Sequence, residues 1–210
     1  MSVQAIIFDL DNCLSPADQV GAELFQPAFD AIRAANQKTL SEAALDRAFA
    51  DIWRLPLDVV AQTHRFSAAM YGAGSQAFES LQVRRPMAGY GDLEVLAELP
   101  AQRFLVTSGF RRLQESKVRA LGIAPLFDGI YVDDISDPGR PGKGGLFERI
   151  LAEQGLEPGR VLVVGDNPAS EIAAGNRLGM RTVQILRPGV PFGANASNHI
   201  SKLEELKALL

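Results

Sequence analysis

The chain is poor in the groups that mark several large classes of protein. Its 210 residues include one cysteine, Cys13, so no intrachain disulfide can form and an oxidising compartment gains no support. Only two histidines occur, His64 and His199, and neither neighbours a Cys, Asp or Glu cluster at metal-ligand spacing. Both read as structural or exposed. Positive charge is short as well: 21 Lys and Arg against 25 Asp and Glu give a net charge of -4, which leaves no basic face for a nucleic-acid polymer. No apolar run approaches the length of a membrane span, and the opening Met1-Ser2-Val3-Gln4 lacks the basic start and long apolar stretch of a signal peptide. The expected location is the cytoplasm. What is present, 47% hydrophobic and 22% charged residues, suffices for one large domain or a core with an insertion.

After residue 90, short β-rich runs alternate with helical patterns. Residues 103–107, 129–133, 161–165 and 182–186 read as strands buried on both faces. Helices are expected near 92–99, 111–121, 146–154 and 170–178, with a last one near 201–210. Gly122, Gly155 and Gly179 follow three of them, where a left-handed C-terminal residue is expected. This alternation predicts an α/β fold, a doubly wound parallel sheet with a Rossmann-like core. The stretch 15–85 breaks the rhythm: it lacks a convincing strand and reads as several amphipathic helices, for example 25–35 and 42–55. It is therefore expected as a small all-helical insertion, with 1–14 and 86–210 forming the core; Pro86, Gly89 and Gly91 mark the return.

Asp9 and Asp11 follow the apolar run Val3–Phe8. Carboxylates at i and i+2 of an extended segment point the same way, and two like charges so close need a cation or a shared proton. In an open parallel sheet ligands bind beyond the carboxyl ends of the strands. Those ends carry Asp9 and Asp11, then Thr107-Ser108-Gly109, Asp133-Asp134 and Gly165-Asp166-Asn167, with Lys143 just before a helix in Pro141-Gly142-Lys143-Gly144-Gly145. Such a set suits an aspartate attacking phosphorus, an oxygen-ligated Mg²⁺, and a hydroxyl and an ammonium holding the transferring oxygens.

These residues, in this order, resemble the four motifs of the haloacid dehalogenase-like hydrolase superfamily. Phe8-Asp9-Leu10-Asp11-Asn12-Cys13-Leu14 is similar to the first motif, Thr107 to the second and Lys143 to the third. Val163-Val164-Gly165-Asp166 through Glu171 is similar to the fourth. The resemblance runs from residue 3 to about 188 and implies a phosphatase whose insertion is a helical cap between the first and second motifs. It implies Asp9 as the nucleophile forming an aspartyl-phosphate and as a Mg²⁺ ligand. Asp11 would be general acid and base, with its carbonyl on the metal. Thr107, with Ser108 beside it, and Lys143 would hold the phosphoryl group, and Asp166 would ligate the metal. Asn167 and Glu171 would act through water or behind the ligands. A retained Asp11 favours phosphate esters, because an alkoxide needs a proton where a halide does not. Cys13, in place of Thr or Val, and Glu171, in place of the commoner Asp, depart from the pattern.

The implied substrate is a small phosphate ester, a nucleotide or sugar phosphate among the options, with neither nucleic-acid polymer nor membrane as partner. A sugar-phosphate phosphomutase keeps the same four motifs. A signalling module that keeps its phosphoaspartate also combines strand-end acids with a Thr and a Lys around Mg²⁺, but as one uninterrupted domain, which the helical insertion argues against. Other residues read more plainly. Cys13 lacks the neighbours of a thiol phosphatase and reads as a small buried residue. Gly142-Lys143-Gly144-Gly145 has no Ser or Thr after the lysine and is not a P-loop. Arg111 and Arg112 read as a solvated helix start, and Trp53, Phe66, Met70 and Tyr71 either line a pocket or pack a helical core.

Overall fold

The computed structural model describes residues 2–210. Six strands, all parallel, form one sheet: β1 (Ala5–Phe8), β2 (Gln102–Gly109), β3 (Gly129–Asp134), β4 (Val161–Gly165), β5 (Arg181–Ile185) and β6 (Asn198–Ile200), in the spatial order β3-β2-β1-β4-β5-β6. The chain leaves β1 toward β2 on one side and returns on the other at β4, so the order reverses between β1 and β4. A crevice opens at the carboxyl ends there, as in other doubly wound sheets. Phe8 lies opposite both Leu105 of β2 and Val164 of β4, which brings the ends of three strands together.

Side-chain alternation sorts the core into two layers. Ile6, Phe8, Leu105 and Val164 face one cluster, with Val118 of α5 (Arg111–Leu121) and Leu203 and Leu206 near the C-terminus. Ala5, Ile7, Val106 and Val163 face the other, with Leu146, Phe147 and Ile150 of α6 (Gly142–Gln154) and Ala174 of α7 (Ala173–Arg177). Both faces are covered, which explains strands that are apolar throughout. Between β1 and β2, α1 (Ala22–Ala35), α2 (Glu42–Asp51), α3 (Leu57–Thr63) and α4 (Ala68–Ser80) gather around a third cluster that includes Phe25, Phe29, Leu45, Phe49, Met70 and Phe78.

Several elements differ from expectation. The helix read at 92–99 is a 3₁₀ segment, Leu93–Glu98, closed by Leu99 and Pro100, and the terminal helix is 3₁₀ as well, Leu203–Leu209. The helix read at 42–55 stops at Asp51, ahead of Pro56, which disfavours helical geometry in the residue before it. Helix α6 begins four residues earlier than 146, so Lys143 lies in its first turn. The stretch 170–178 splits into a π turn, Pro168–Ile172, and the short α7. Strand β6 has no apolar run to announce it: Asn198 and His199 precede Ile200.

Candidate active site

Asp9 continues the alternation of Ala5 and Ile7, so it projects to the α6 side of the sheet, and its backbone N–H donates to the Val164 carbonyl at 2.9 Å. On that side Lys143, in the first turn of α6, places Nζ 2.7 Å from Asp9 Oδ1 and 2.8 Å from Glu171 Oε2. Glu171 returns to the site because the β4–α7 connection is a π turn, a wider loop that often marks functional positions. The Asn167 N–H donates to Glu171 Oε1 at 2.6 Å. Gly165 makes room for this approach, since a Cβ there would sit 2.3 Å from Glu171 Cγ. Asp166 completes the group: one carboxylate oxygen each from Asp9, Asp166 and Glu171 fall within 4.8 Å of one another, and all three residues are buried.

Fully ionised, three carboxylates and one ammonium would carry two net negative charges, and burial among like charges works against that state. Burial, with repulsion from Glu171 and Asp11, pushes Asp9 up to about 7 against the pull of Lys143. Burial, then Glu171 and Asp9, pushes Asp166 up to about 8. Burial alone would lower Lys143, but Asp9 and Glu171 outweigh it and hold its pKa above the usual lysine range. A buried set of oxygen ligands with uncompensated negative charge fits a hard divalent cation in both donor type and charge.

Thr107 points to the opposite face, toward α5, as parity from Leu105 requires. Gln114 of α5 donates from Nε2 to the Thr107 hydroxyl and to Asp11 Oδ2, the latter at 3.0 Å. Lys117, one turn further along, reaches both Asp11 oxygens at 2.9 and 2.8 Å. Ser108 lines the cavity, and its hydroxyl donates to Asp133 at 2.9 Å. The Asn167 side chain caps its own turn, accepting from the Ala169 N–H at 3.0 Å.

A cavity of about 100 Å³ lies over these groups, smaller than the roughly 300–1,000 Å³ of sites for drug-sized ligands. Its helical side is mostly apolar, including Phe25, Ile52, Trp53 and Phe78. Arg54, on the connection between α2 and α3, is the exception: it donates to the Gly189 carbonyl at 2.6 Å and lies 4.0 Å from Asp166. Nearby, Arg140 after β3 bridges Asp133 of the sheet and Asp58 of α3.

Trp53 thus lines the cavity, whereas Met70 is fully buried in the helical cluster, with Phe66 and Tyr71 against it. Cys13 is enclosed, its Sγ facing the Val164 carbonyl at 3.7 Å and its thiol pushed up by burial. His64 pairs with Asp51, His199 stacks on Phe192, and Arg111 and Arg112 are exposed.

Gln114 and Lys117 are functional candidates that strand-end reasoning passes over. The sequence does hold a signal for them. Phe110, just ahead of α5, and Leu113, Gln114 and Lys117 within it recur at i, i+3, i+4 and i+7, the spacing of a core-facing stripe, and two of the four carry polar groups.

Residues 3–179 match the family described as haloacid dehalogenase-like hydrolase. Among curated proteins, the chain is 32% identical over 110 residues to the N-acylneuraminate-9-phosphatase of Rattus norvegicus, covering 50% of this chain and 44% of that protein. It is 26% identical over 203 residues to the glyceraldehyde 3-phosphate phosphatase of Methanopyrus kandleri, covering 88% and 84%. The chain spans less than half the length of the first curated relatives it matches. The solved structure of the putative HAD-hydrolase YfnB from Bacillus subtilis superposes with a TM-score of 0.68 at 18% identity, over 100% of this chain and 99% of that one.

Proposed function

Because the chain belongs to the haloacid dehalogenase-like hydrolase family, we propose that it is a Mg²⁺-dependent phosphatase acting on a small phosphorylated metabolite through an aspartyl-phosphate on Asp9. The observation that carries the reading is the meeting of Asp9, Lys143, Asp166 and Glu171 at the sheet's crevice, with Asp11 and Thr107 on its other wall. Curated relatives named as phosphatases support the reaction class.

Asp9, Asp166 and Glu171, with the Asp11 carbonyl, would hold the cation, which when bound supplies positive charge to the phosphoryl oxygens. The chain's own groups do the rest. An Asp9 oxygen attacks phosphorus, forming an O–P bond as the bond to the alcohol oxygen breaks. Asp11 gives that oxygen a proton. Lys143 keeps Asp9 aimed by its hydrogen bond and meets the phosphoryl charge, while the Thr107 hydroxyl donates to a second phosphoryl oxygen. Water then attacks phosphorus, its proton passing to Asp11, and inorganic phosphate leaves with Asp9 restored.

Residues 15–85 act as a cap: its apolar wall excludes bulk water and meets the alcohol portion of the ester. The cavity's size suits a small ester. Phosphate release from p-nitrophenyl phosphate and a metabolite panel tests the reading. Mg²⁺ should support turnover and a chelator abolish it. Unchanged rates after chelation would remove the metal from the scheme; a labelled Asp9 with no phosphate release would favour a signalling module, and isomerised sugar phosphate a mutase.

A second expectation needs no turnover. Filling the buried acid cluster stabilises only the folded chain, by about 2.7 kcal/mol at a hundred times Kd. At about 2–4 °C per kcal/mol for this size, Mg²⁺ should raise Tm by roughly 5–11 °C. Calorimetry with and without Mg²⁺ measures it, and Asp166→Asn should lose most of the shift.

A further inference from the structure

Asp11 is gripped from one side. Lys117 Nζ bonds both of its oxygens, Gln114 Nε2 bonds Oδ2, and the same amide ties the Thr107 hydroxyl into the network. All these donors come from two successive turns of α5. Lys117 and Gln114 are buried, while the Asp11 side chain keeps a quarter of its surface open and lines the cavity.

Stability does not explain the arrangement. A buried ion pair roughly breaks even against a well-packed apolar replacement, and 114 and 117 occupy stripe positions where Leu or Met would fill the space. The value of these side chains lies at their polar ends. Accordingly, we propose that Lys117 and Gln114 are positioning residues for proton transfer at the leaving group: they fix the Asp11 carboxyl against the Thr107 hydroxyl, so that acid and phosphoryl clamp keep one spacing. The inference rests on the phosphatase reading of Asp11.

An acid aimed at the departing oxygen matters in proportion to the need for a proton. Alkoxides need one and p-nitrophenolate hardly does, so misaiming Asp11 should weigh on alkyl esters above all. The quantity to follow is kcat/KM, which covers events up to departure of the alcohol and leaves out the later attack of water. Lys117→Met keeps the buried stem and removes the ammonium. It is expected to lower kcat/KM for an alkyl phosphate by on the order of 10–100-fold, and the loss should exceed that for p-nitrophenyl phosphate at least about tenfold. Lys117→Arg, which can still grip both carboxylate oxygens, should restore most of the difference. Should Lys117→Met fail to fold, Lys117→Gln supplies the same comparison with a donor shorter by one bond.

Equal losses on both esters, or no recovery with arginine, would make Lys117 structural and overturn the proposal. Asp11→Asn run alongside separates the two ideas. If that variant also shows no leaving-group dependence, the phosphatase reading of Asp11 fails; if it does and Lys117→Met does not, only the positioning role falls.

Discussion

Asp9→Asn is expected to lower phosphate release by at least about 10⁴-fold while the protein remains folded. On the proposed mechanism Asp9 supplies the attacking oxygen; an amide oxygen is a poor nucleophile, and its loss would leave only binding and charge stabilisation. The fold should tolerate the change for a reason specific to this site. Burial already disfavours the ionised Asp9, and Glu171 and Asp11 repel it. Asparagine removes that charge, while its side-chain oxygen still accepts from Lys143 and Glu171 still pairs with the ammonium at 2.8 Å. Inactive protein with a Tm within a few degrees of wild type is the predicted pair of results, from steady-state kinetics and calorimetry. Residual activity near one tenth of wild type would place the nucleophile elsewhere.

The residues of this site were legible to very different degrees, and geometry explains the difference. Asp9 and Thr107 were legible as polar residues closing apolar runs, but the expectation that Asp9 and Asp11 point the same way fails. Asp11 lies past the strand, where parity no longer holds, and meets Gln114 and Lys117 of α5 while Asp9 meets Lys143 of α6. Lys143 was expected ahead of its helix, yet Gly142 and Lys143 form its first turn, where the Gly142 N–H donates to Asp133 at 3.0 Å. A tertiary carboxylate thus extends a helix past a glycine-rich stretch that local propensity would leave as loop. Glu171 was expected behind the metal ligands. It lies among the buried acids because a π turn, which sequence periodicity does not register, turns it inward over Gly165. Ser108 shows the opposite limit, since its partner Asp133 comes from a neighbouring strand 25 residues away. Gln114 and Lys117 were legible as anomalies on an apolar stripe, but nothing local said that the stripe would end against Asp11.

A second large effect lies outside the acid cluster, in the support of the turn that carries Asp11. Arg187, just past β5, is buried and makes a two-pronged contact with buried Asp92, Nη1 at 2.8 Å and Nη2 at 2.9 Å. Its Nε donates to the Cys13 carbonyl at 3.0 Å, Nη1 to the Ser201 carbonyl at 3.2 Å, and its guanidinium lies 4.3 Å above the Tyr90 ring. Asp92 in turn accepts from the Leu203 N–H at 2.9 Å. Four stretches of chain distant in sequence meet at this one side chain, and the turn two residues beyond Asp11 is among them.

Arg187→Met would leave the Asp92 carboxylate and the Cys13 carbonyl short of donors in a dry setting. Breaking a buried pair from one side typically costs about 3–5 kcal/mol, which for a chain of this size corresponds to a Tm lower by roughly 6–20 °C. Arg187→Lys should recover little, because an ammonium cannot reproduce the fork that spans Asp92 and Cys13. Adding Asp92→Asn to Arg187→Met should restore part of the loss by removing the stranded charge, so the two changes will not add. Activity should fall with stability in the single variant even where the protein stays folded, because the turn bearing Asp11 loses its tether. Urea unfolding of wild type, Arg187→Met, Asp92→Asn and the double variant measures the coupling. A loss under about 1 kcal/mol for Arg187→Met would mean that solvent reaches Asp92 and that the turn is held by its own backbone hydrogen bonds, Leu14 and Ser15 to the Leu10 carbonyl.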